Sequence, residues 1–290
     1  MNKRNNKQDN EVYILGADIR NKKNKITTKS KWLIILSICL IIIIIIGLFI
    51  FVPVKEQTPE YYFEPETSAQ QSITIVEDSV VNPGQQGYIE VLHDTINDVP
   101  LDIFIPHSAS MSLTLGMPDK SDSNIVFAAM AADIRKDNQK IVGDFVLSGD
   151  QISRGVAKKG FCAIIDNTIS IGMAENTPFL QQAAENGGFF FRQYPLVHNG
   201  ELVENKPKNK SIRRALAVRN ERIIMVESKN AESFHDFSQA LIDIGVSDAI
   251  YLVGGNAYGW YRNREYVRQE FGEELSGLPE NISYIIWQVK

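Results

Sequence analysis

Cysteine is scarce in this chain of 290 residues, which contains two. Cys39 lies in a long apolar run and Cys162 in a second, shorter one, so no disulfide is expected between them. A domain without disulfides depends on its own hydrophobic core, and the roughly 220 residues after the long apolar run are enough to form one. The apolar surroundings of Cys162 favour a buried small side chain over a catalytic thiol.

Several familiar catalytic patterns are also missing. The four histidines are scattered, with no pair at the spacing of metal ligands. No Gly-x-Ser-x-Gly elbow is present, which argues against a serine hydrolase, and neither the dinucleotide fingerprint nor the phosphate-binding P-loop occurs. No cofactor is therefore predicted, although a divalent metal stays an open alternative.

What the chain does have is a charge-free run over residues 32–54. At about 1.5 Å per residue, such a helix crosses a hydrocarbon core of about 30 Å. The run is longer than the apolar part of a signal peptide, and no small-residue cleavage site follows it. A lipoprotein cleavage site at Cys39 and a buried core helix are the weaker alternatives. The sequence predicts one uncleaved transmembrane helix.

The charge distribution predicts on which side of the membrane each end of the chain lies. Residues 1–31 carry nine Lys or Arg against three Asp or Glu, so the positive-inside rule keeps this tail in the cytoplasm. The rest of the chain, with a net charge of −11, is then periplasmic or extracellular. An acidic exported domain has no basic groove for nucleic acid, so nucleic acid is not an expected partner, whereas the membrane is one through residues 32–54.

The exported part shows a change of pattern at residue 73. Residues 55–72 are acidic and contain two prolines, which indicates a linker or stalk. Beyond it, short apolar runs alternate with turn residues, as β-strands do, while residues 177–186 and 231–244 have the spacing and caps of helices. The run 125–134 fits either a helix or a buried strand.

The predicted fold is an α+β domain, a multi-stranded mixed sheet with a few packed helices, preceded by one N-terminal transmembrane helix. The predicted divisions are a cytoplasmic tail at 1–31, the membrane helix at 32–54, the linker at 55–72 and the exported domain at 73–290.

The main candidate for a site is the turn Val-Gly-Gly-Asn-Ala, residues 253–257, after a buried strand. Glycines there let backbone N–H groups approach an anion, although a tight turn alone explains them equally well. The turn supplies three candidate binding residues, Gly254, Gly255 and Asn256.

Four charged residues complete the candidate set. Arg213 and Arg214 begin a strand, so their side chains point to opposite faces, and one of them can grip a phosphate or carboxylate. Two solvated arginines are the alternative. Asp133 and Asp144 lie in or beside apolar segments, where a charge is costly unless it is paired or functional. The alternative for both is a carboxylate in a turn or on an edge strand.

The chain from about 100 to 262 resembles the phosphodiester glycosidase family. The resemblance is an ordered series, whose segments are residues 142–146, 153–155, 195–200, 213–217, 244–245 and 249–257. Two polar positions of the family pattern are aliphatic here, since Val142 stands where the family has asparagine and Val253 where it has aspartate. The serine of the glycine motif is Ala257.

The resemblance implies a membrane-anchored hydrolase of sugar-phosphate diester or related glycosidic linkages in envelope glycans. Arg213 would hold the phosphate, Asp144 would act as acid or base, and Arg214, Asp133, Gly254, Gly255 and Asn256 would bind substrate. Glycosidic cleavage normally uses two carboxylates. The alternative is a catalytically silent glycan- or phosphoglycan-binding protein of the same fold.

Overall fold

Strands dominate the part of the chain that the structure describes. The chain divides into two units, Met1–Thr67 and Ser68–Lys290. The computed structural model describes residues 74–77 and 86–289, all within the second unit. These residues form eighteen strands in three sheets, with every strand pairing antiparallel.

The first sheet has six strands and the second has seven. In spatial order the first sheet contains β1 (Thr74–Glu77), β9 (Thr168–Met173), β8 (Gly160–Ile165), β10 (Phe189–Gln193), β6 (Phe145–Leu147) and β7 (Asp150–Ser153). The second contains β12 (Glu201–Leu202), β11 (Pro195–His198), β15 (Val246–Leu252), β13 (Arg214–Arg219), β14 (Arg222–Ser228), β3 (Val99–His107) and β2 (Tyr88–Ile96).

The third sheet has five strands and includes the chain's last strand. In spatial order they are β17 (Arg268–Phe271), β16 (Gly259–Arg262), β5 (Ile125–Met130), β18 (Ser283–Gln288) and β4 (Ser110–Leu115). The ambiguous run 125–134 is thus a strand over its first six residues, all of them buried.

Two short helices pack on the sheets. Helix α1 (Pro178–Glu185) has Thr177 as N-cap and proline at its start, as the sequence predicts. Helix α2 (Phe234–Asp243) begins three residues later than the predicted run 231–244, with Ser233 as its N-cap, whose side chain accepts from the N–H of Asp236. The buried face of α2, which includes Phe237 and Leu241, packs on the second sheet.

The predicted α+β class with a mixed sheet is wrong, because the described residues are mostly β and the sheets are antiparallel. Parallel pairs need crossover connections of a dozen or more residues, usually helical. Here five of the neighbouring pairs are joined by two-residue turns, such as Asn220–Glu221 between β13 and β14, where both residues have positive φ. The two helices are short and pack on the faces of the sheets.

The predicted transmembrane helix at 32–54 lies outside the described residues. Within those residues, neither helix has the length and apolar character of a membrane span.

The core joins all three sheets. Its central cluster includes Phe191 from the first sheet, Met225 from the second and Phe127 from the third, all fully buried. The run 189–197, which the sequence presents as one strand, divides at Tyr194 into β10 and β11, which belong to different sheets. This change of sheet brings residues of the first sheet close to the end of β15.

Candidate functional site

The glycine turn, residues 253–257, follows β15, an interior strand of the second sheet. The N–H of Gly254 donates to the hydroxyl of Tyr251 at 3.0 Å. The N–H of Gly255 donates to the carbonyl of Ile212 at 2.8 Å. Both amides that the sequence offers to an anion are therefore hydrogen-bonded within the protein.

Packing explains why glycine occupies these two positions. A Cβ on Gly254 would lie 2.2 Å from the Ile212 carbonyl oxygen, which leaves no space for a side chain. Gly255 has a φ of +62°, in the left-handed region where glycine is favoured. Asn256, the third predicted binding residue of the turn, is exposed and faces solvent.

Arg213 lies beside this turn but is bonded inward, with 3% of the residue exposed. Its Nε donates to the carbonyl of Glu232 at 2.9 Å, and its Nη2 donates to the carbonyl of Asn209. The guanidinium lies 4.0 Å from the ring centroid of Phe234 and 6.0 Å from that of Tyr251. Arg213 thus fixes the surroundings of Tyr251.

Arg214 reaches the turn from the other face of the strand, as alternation predicts. Its Nη1 donates to the carbonyls of Val253 at 3.1 Å and Ala257 at 2.6 Å, while its Nε pairs with Glu227. Burial raises the pKa of Glu227, and the charge of Arg214 opposes that shift. Arg214 holds both ends of the glycine turn in place.

Asp144 is enclosed in a separate buried network. One carboxylate oxygen accepts from Arg192 Nε at 2.7 Å, and the other accepts from the N–H of Gly155 at 2.9 Å. Arg192 also donates to the carbonyls of Ala174 and Glu175, at 2.7 Å each. The described contacts of Asp144 thus join it to Arg192 and Gly155, and they do not include Arg213 or the glycine turn.

Asp133 is the more accessible carboxylate. Its side chain is 33% exposed and pairs with Lys158, whose side chain is 5% exposed. The Lys158 ammonium also donates to Gln193 Oε1 at 2.8 Å and lies 4.4 Å from the ring centroid of Tyr194. The change of sheet at Tyr194 is what positions these last two partners.

Two groups beside Asp133 have shifted pKa values. Burial lowers the pKa of Lys158, although the negative charge of Asp133 partly offsets this. Burial raises the pKa of Tyr251 and so does Asp133, against a lowering by the Gly254 N–H and by Arg213. Ionisable groups with shifted pKa values often mark functional sites.

The structure therefore gathers three of the predicted residues, Arg213, Gly254 and Asp133, around Tyr251. Sequence reasoning did not identify Tyr251 or Lys158. Tyr251 appears as one member of an apolar strand, and Lys158 lies in a polar stretch that gives no sign of burial. Their proximity depends on contacts between separate sheets.

Val253, the aliphatic residue at the start of the turn, packs against an apolar cluster of the third sheet that includes Met130, Tyr258 and Tyr284. A carboxylate at this position would contact the same apolar side chains. Among the described residues, no group of three or more His, Cys, Asp or Glu side chains is placed to hold a metal ion.

Comparison with known proteins gives a fold and no family. No protein-family model matches the sequence, and no curated protein does. Among solved structures, the chain is similar to the catalytic domain of zebrafish N-acetylglucosamine-1-phosphodiester alpha-N-acetylglucosaminidase, auto-inhibited by its pro-peptide. The TM-score is 0.55 at 13% identity, covering 76% of this chain and 88% of that one.

A hypothetical protein from Synechocystis is also similar, with a TM-score of 0.44 at 12% identity, over 71% of this chain and 62% of that one. The zebrafish comparison shows that this β-rich domain has a fold like that of a phosphodiester glycosidase domain. At 13% identity, the likeness extends to the fold alone.

Proposed function

We propose that the β-rich domain binds a carbohydrate or phosphoglycan of the cell envelope and does not cleave it. Binding is supported by the likeness of the fold and by the accessible Asp133 carboxylate, and the observation against cleavage is the internal bonding of the candidate groups. The amides of Gly254 and Gly255 and the side chains of Arg213 and Arg214 all bond to other parts of the protein. Catalytic donors need to be preorganised toward the charge that develops on the substrate, and these donors are already occupied.

The carboxylates support the same proposal. Glycoside hydrolysis normally uses two carboxyl groups that flank the scissile bond. Both oxygens of Asp144 accept hydrogen bonds within the protein, from Arg192 and from the N–H of Gly155, and Val253 supplies no carboxylate. Asp133 is then one accessible carboxylate where two are expected, which suits binding better than catalysis.

The location in this proposal rests on the charge pattern of the sequence. Residues 32–54 would anchor the chain in the membrane, with residues 1–31 in the cytoplasm. The domain would then meet envelope glycans outside the membrane, and its acidic character keeps nucleic acid from being a partner.

Hydrolysis is the second candidate, and what favours it is the shifted pKa of Lys158 and of Tyr251 beside Asp133. In such a step a water oxygen bonds to the anomeric carbon while Asp133 accepts a proton from that water. The bond from carbon to phosphate oxygen breaks, and its electron pair leaves with the phosphate. Because phosphate is a stable anion, its departure needs no second carboxylic acid, which restricts a one-carboxylate site to sugar phosphates.

The test is a comparison of binding with turnover, using the full-length protein and a sugar-1-phosphate diester. We expect saturable binding and sugar release no faster than without protein. Asp133→Asn and Asp150→Asn, the latter at an exposed residue of β7, serve as paired variants. Turnover that Asp133→Asn lowers by about 10²–10⁴-fold, while Asp150→Asn leaves it unchanged, would replace the binding proposal with the hydrolase.

A further inference from the structure

A cleft of about 490 Å³ lies between the edge of the third sheet and two turns of the first sheet. One wall is β4, the edge strand of its sheet, together with Ile286 and Gln288 of the neighbouring strand β18. The other wall is the turn of Asp166 and Asn167 between β8 and β9, and the turn 186–188 between α1 and β10. Small-ligand sites typically measure about 300–1,000 Å³, so this β4 cleft has the size of a binding site.

The β4 cleft presents polar side chains that a ligand can reach. Asp166 and Asn186 are exposed, and Ser112 and Gln288 are half-buried. The side chains of Ser112, Asp166 and Gln288 form no hydrogen bond or ion pair with any residue that the structure describes. Asn186 donates its Nδ2 to the carbonyl of Gln182 at 2.9 Å, which leaves its side-chain oxygen as an acceptor. The cleft therefore offers a hydroxyl, a carboxylate and two amides with unused hydrogen-bonding capacity.

The charge of the lining favours a neutral ligand that carries hydroxyl groups. Asp166 is the one ionised side chain among the described residues that line the cleft, and its carboxylate repels an anion. A carboxylate has two oxygens and accepts from two neighbouring hydroxyls at once. Phe189 also lines the cleft and is half-buried, so part of its ring can contact apolar C–H groups. A sugar ring combines hydroxyls at its edge with an apolar C–H face, and so matches both features.

An extended peptide that adds a strand to β4 is the other ligand class that a sheet edge can bind. The N–H of Gly116 donates to the carbonyl of Ile282, which continues the register of β4 with β18. By alternation, the main-chain groups of Met111 and Leu113 then point away from β18, to the free edge. These two residues are 3% and 4% exposed. Strand addition needs their main-chain groups, so their burial favours a ligand that bonds to the accessible side chains instead.

We propose that the β4 cleft binds a neutral stretch of glycan, as a second site separate from the group around Asp133. Its described lining residues include no member of that group. Sugar hydroxyls both donate and accept, so they can donate to the oxygens of Asp166 and accept from Gln288 or Ser112. The inference rests on the proposed function in taking a glycan as the ligand. Two sites on one glycan chain strengthen binding, because the second binding step becomes intramolecular.

The test measures the affinity of the full-length protein for neutral trisaccharides by isothermal titration calorimetry, in a detergent that contains no sugar. The probes are maltotriose, cellotriose and triacetylchitotriose. We expect saturable binding of at least one probe. Gln288→Leu should weaken it about tenfold, because the change removes the hydrogen bonds of the amide at nearly constant volume. Gln269→Leu, at an exposed residue of β17 outside the cleft, is the matched control and should leave the affinity unchanged.

Asp166→Asn tests the carboxylate independently. Asp166 has a φ of +48° in a two-residue turn, a conformation that asparagine accepts, so the turn should keep its shape. The affinity should fall about tenfold, since hydrogen bonds to a charged acceptor are stronger than those to a neutral one. Asp98→Asn is the matched control, because Asp98 is exposed, has a φ of +64° and lies in the two-residue turn between β2 and β3. It should bind as the wild type does.

The β4 cleft proposal is overturned if no trisaccharide binds, or if neither Gln288→Leu nor Asp166→Asn weakens the binding. Trisaccharide binding that Asp133→Asn alone weakens would also overturn it, because the sugar would then occupy the first site. Binding of the sugar-1-phosphate diester without any trisaccharide would overturn the cleft alone and leave the proposed function standing. Binding of a trisaccharide through Gln288 and Asp166, without binding of the diester, would support the cleft and remove the Asp133 group from the proposed function.

Discussion

Two carboxylate–cation pairs have different environments in this fold. Asp144 pairs with Arg192, and their side chains are 8% and 1% exposed. Asp133 pairs with Lys158, and their side chains are 33% and 5% exposed. The first pair is closed to solvent on both sides, whereas the second presents its carboxylate at the surface.

The closed pair is a structural element, and the open pair is the better candidate for contact with a ligand. Each of the three nitrogens of Arg192 donates to a separate acceptor inside the protein. Breaking such a buried pair leaves an uncompensated charge, which costs far more than loss of an exposed pair. The difference in burial therefore predicts different results for two chemically identical substitutions.

The largest expected effect follows Asp144→Asn. This change removes the negative charge and leaves the Arg192 guanidinium buried without a counter-ion. The free energy of unfolding should fall by about 3–5 kcal/mol. Urea unfolding measures it, with Asp150→Asn as the exposed control. A loss no larger than that of the control would mean that the Asp144 pair is not the closed network described above.

A smaller effect is expected for Asp133→Asn. The carboxylate is one third exposed, so water screens its pairing, and Lys158 retains the amide oxygen of Gln193. The free energy of unfolding should fall by about 1 kcal/mol. The same urea measurement applies, and a loss equal to that of Asp144→Asn would remove the distinction between the two pairs.

The smallest effect concerns the pH dependence of stability. The folded-state pKa of Lys158 is lowered from 10.5, so between these two values the unfolded chain binds more protons than the folded one. Stability should rise with pH across that window, by linkage. The raised pKa values of tyrosines such as Tyr251 make stability fall as pH rises. The Lys158→Met variant keeps these tyrosines, so comparing it with the wild type isolates the contribution of Lys158. Subtracting the stability curve of Lys158→Met from that of the wild type should leave a difference that rises with pH in this window. A flat difference would contradict burial of the ammonium.

Local pattern was a sound guide to the strands and to one helix. Helix α1 has the predicted cap because Thr177 and Pro178 act within a single turn of chain. The run 249–253 is the end of an interior strand, as continuous apolar sequence indicates. The fold class was wrong because the pairing direction of distant strands is not encoded in any one run.

The glycine turn shows the same limit at the site. Sequence identified residues 253–257 as a place where backbone amides can be close to a partner. It could not show that the partner of Gly255 is the carbonyl of Ile212, or that the hydroxyl of Tyr251 occupies the amide of Gly254. Both readings of the pattern, anion site and tight turn, require the same residues.

The sequence by itself determined most of the strands, one helix with its cap, the approximate place of the other helix, the acidic balance of the chain and the position of the glycine turn. These depend on alternation, caps and composition, which act over a few neighbouring residues. The tertiary structure decided which ion pair is buried and which has a solvent-accessible carboxylate. The partners concerned lie far apart in the chain, 48 residues for Asp144 and Arg192 and 25 for Asp133 and Lys158. Burial, which separates a structural ion pair from an accessible one, exists only once three sheets have packed together.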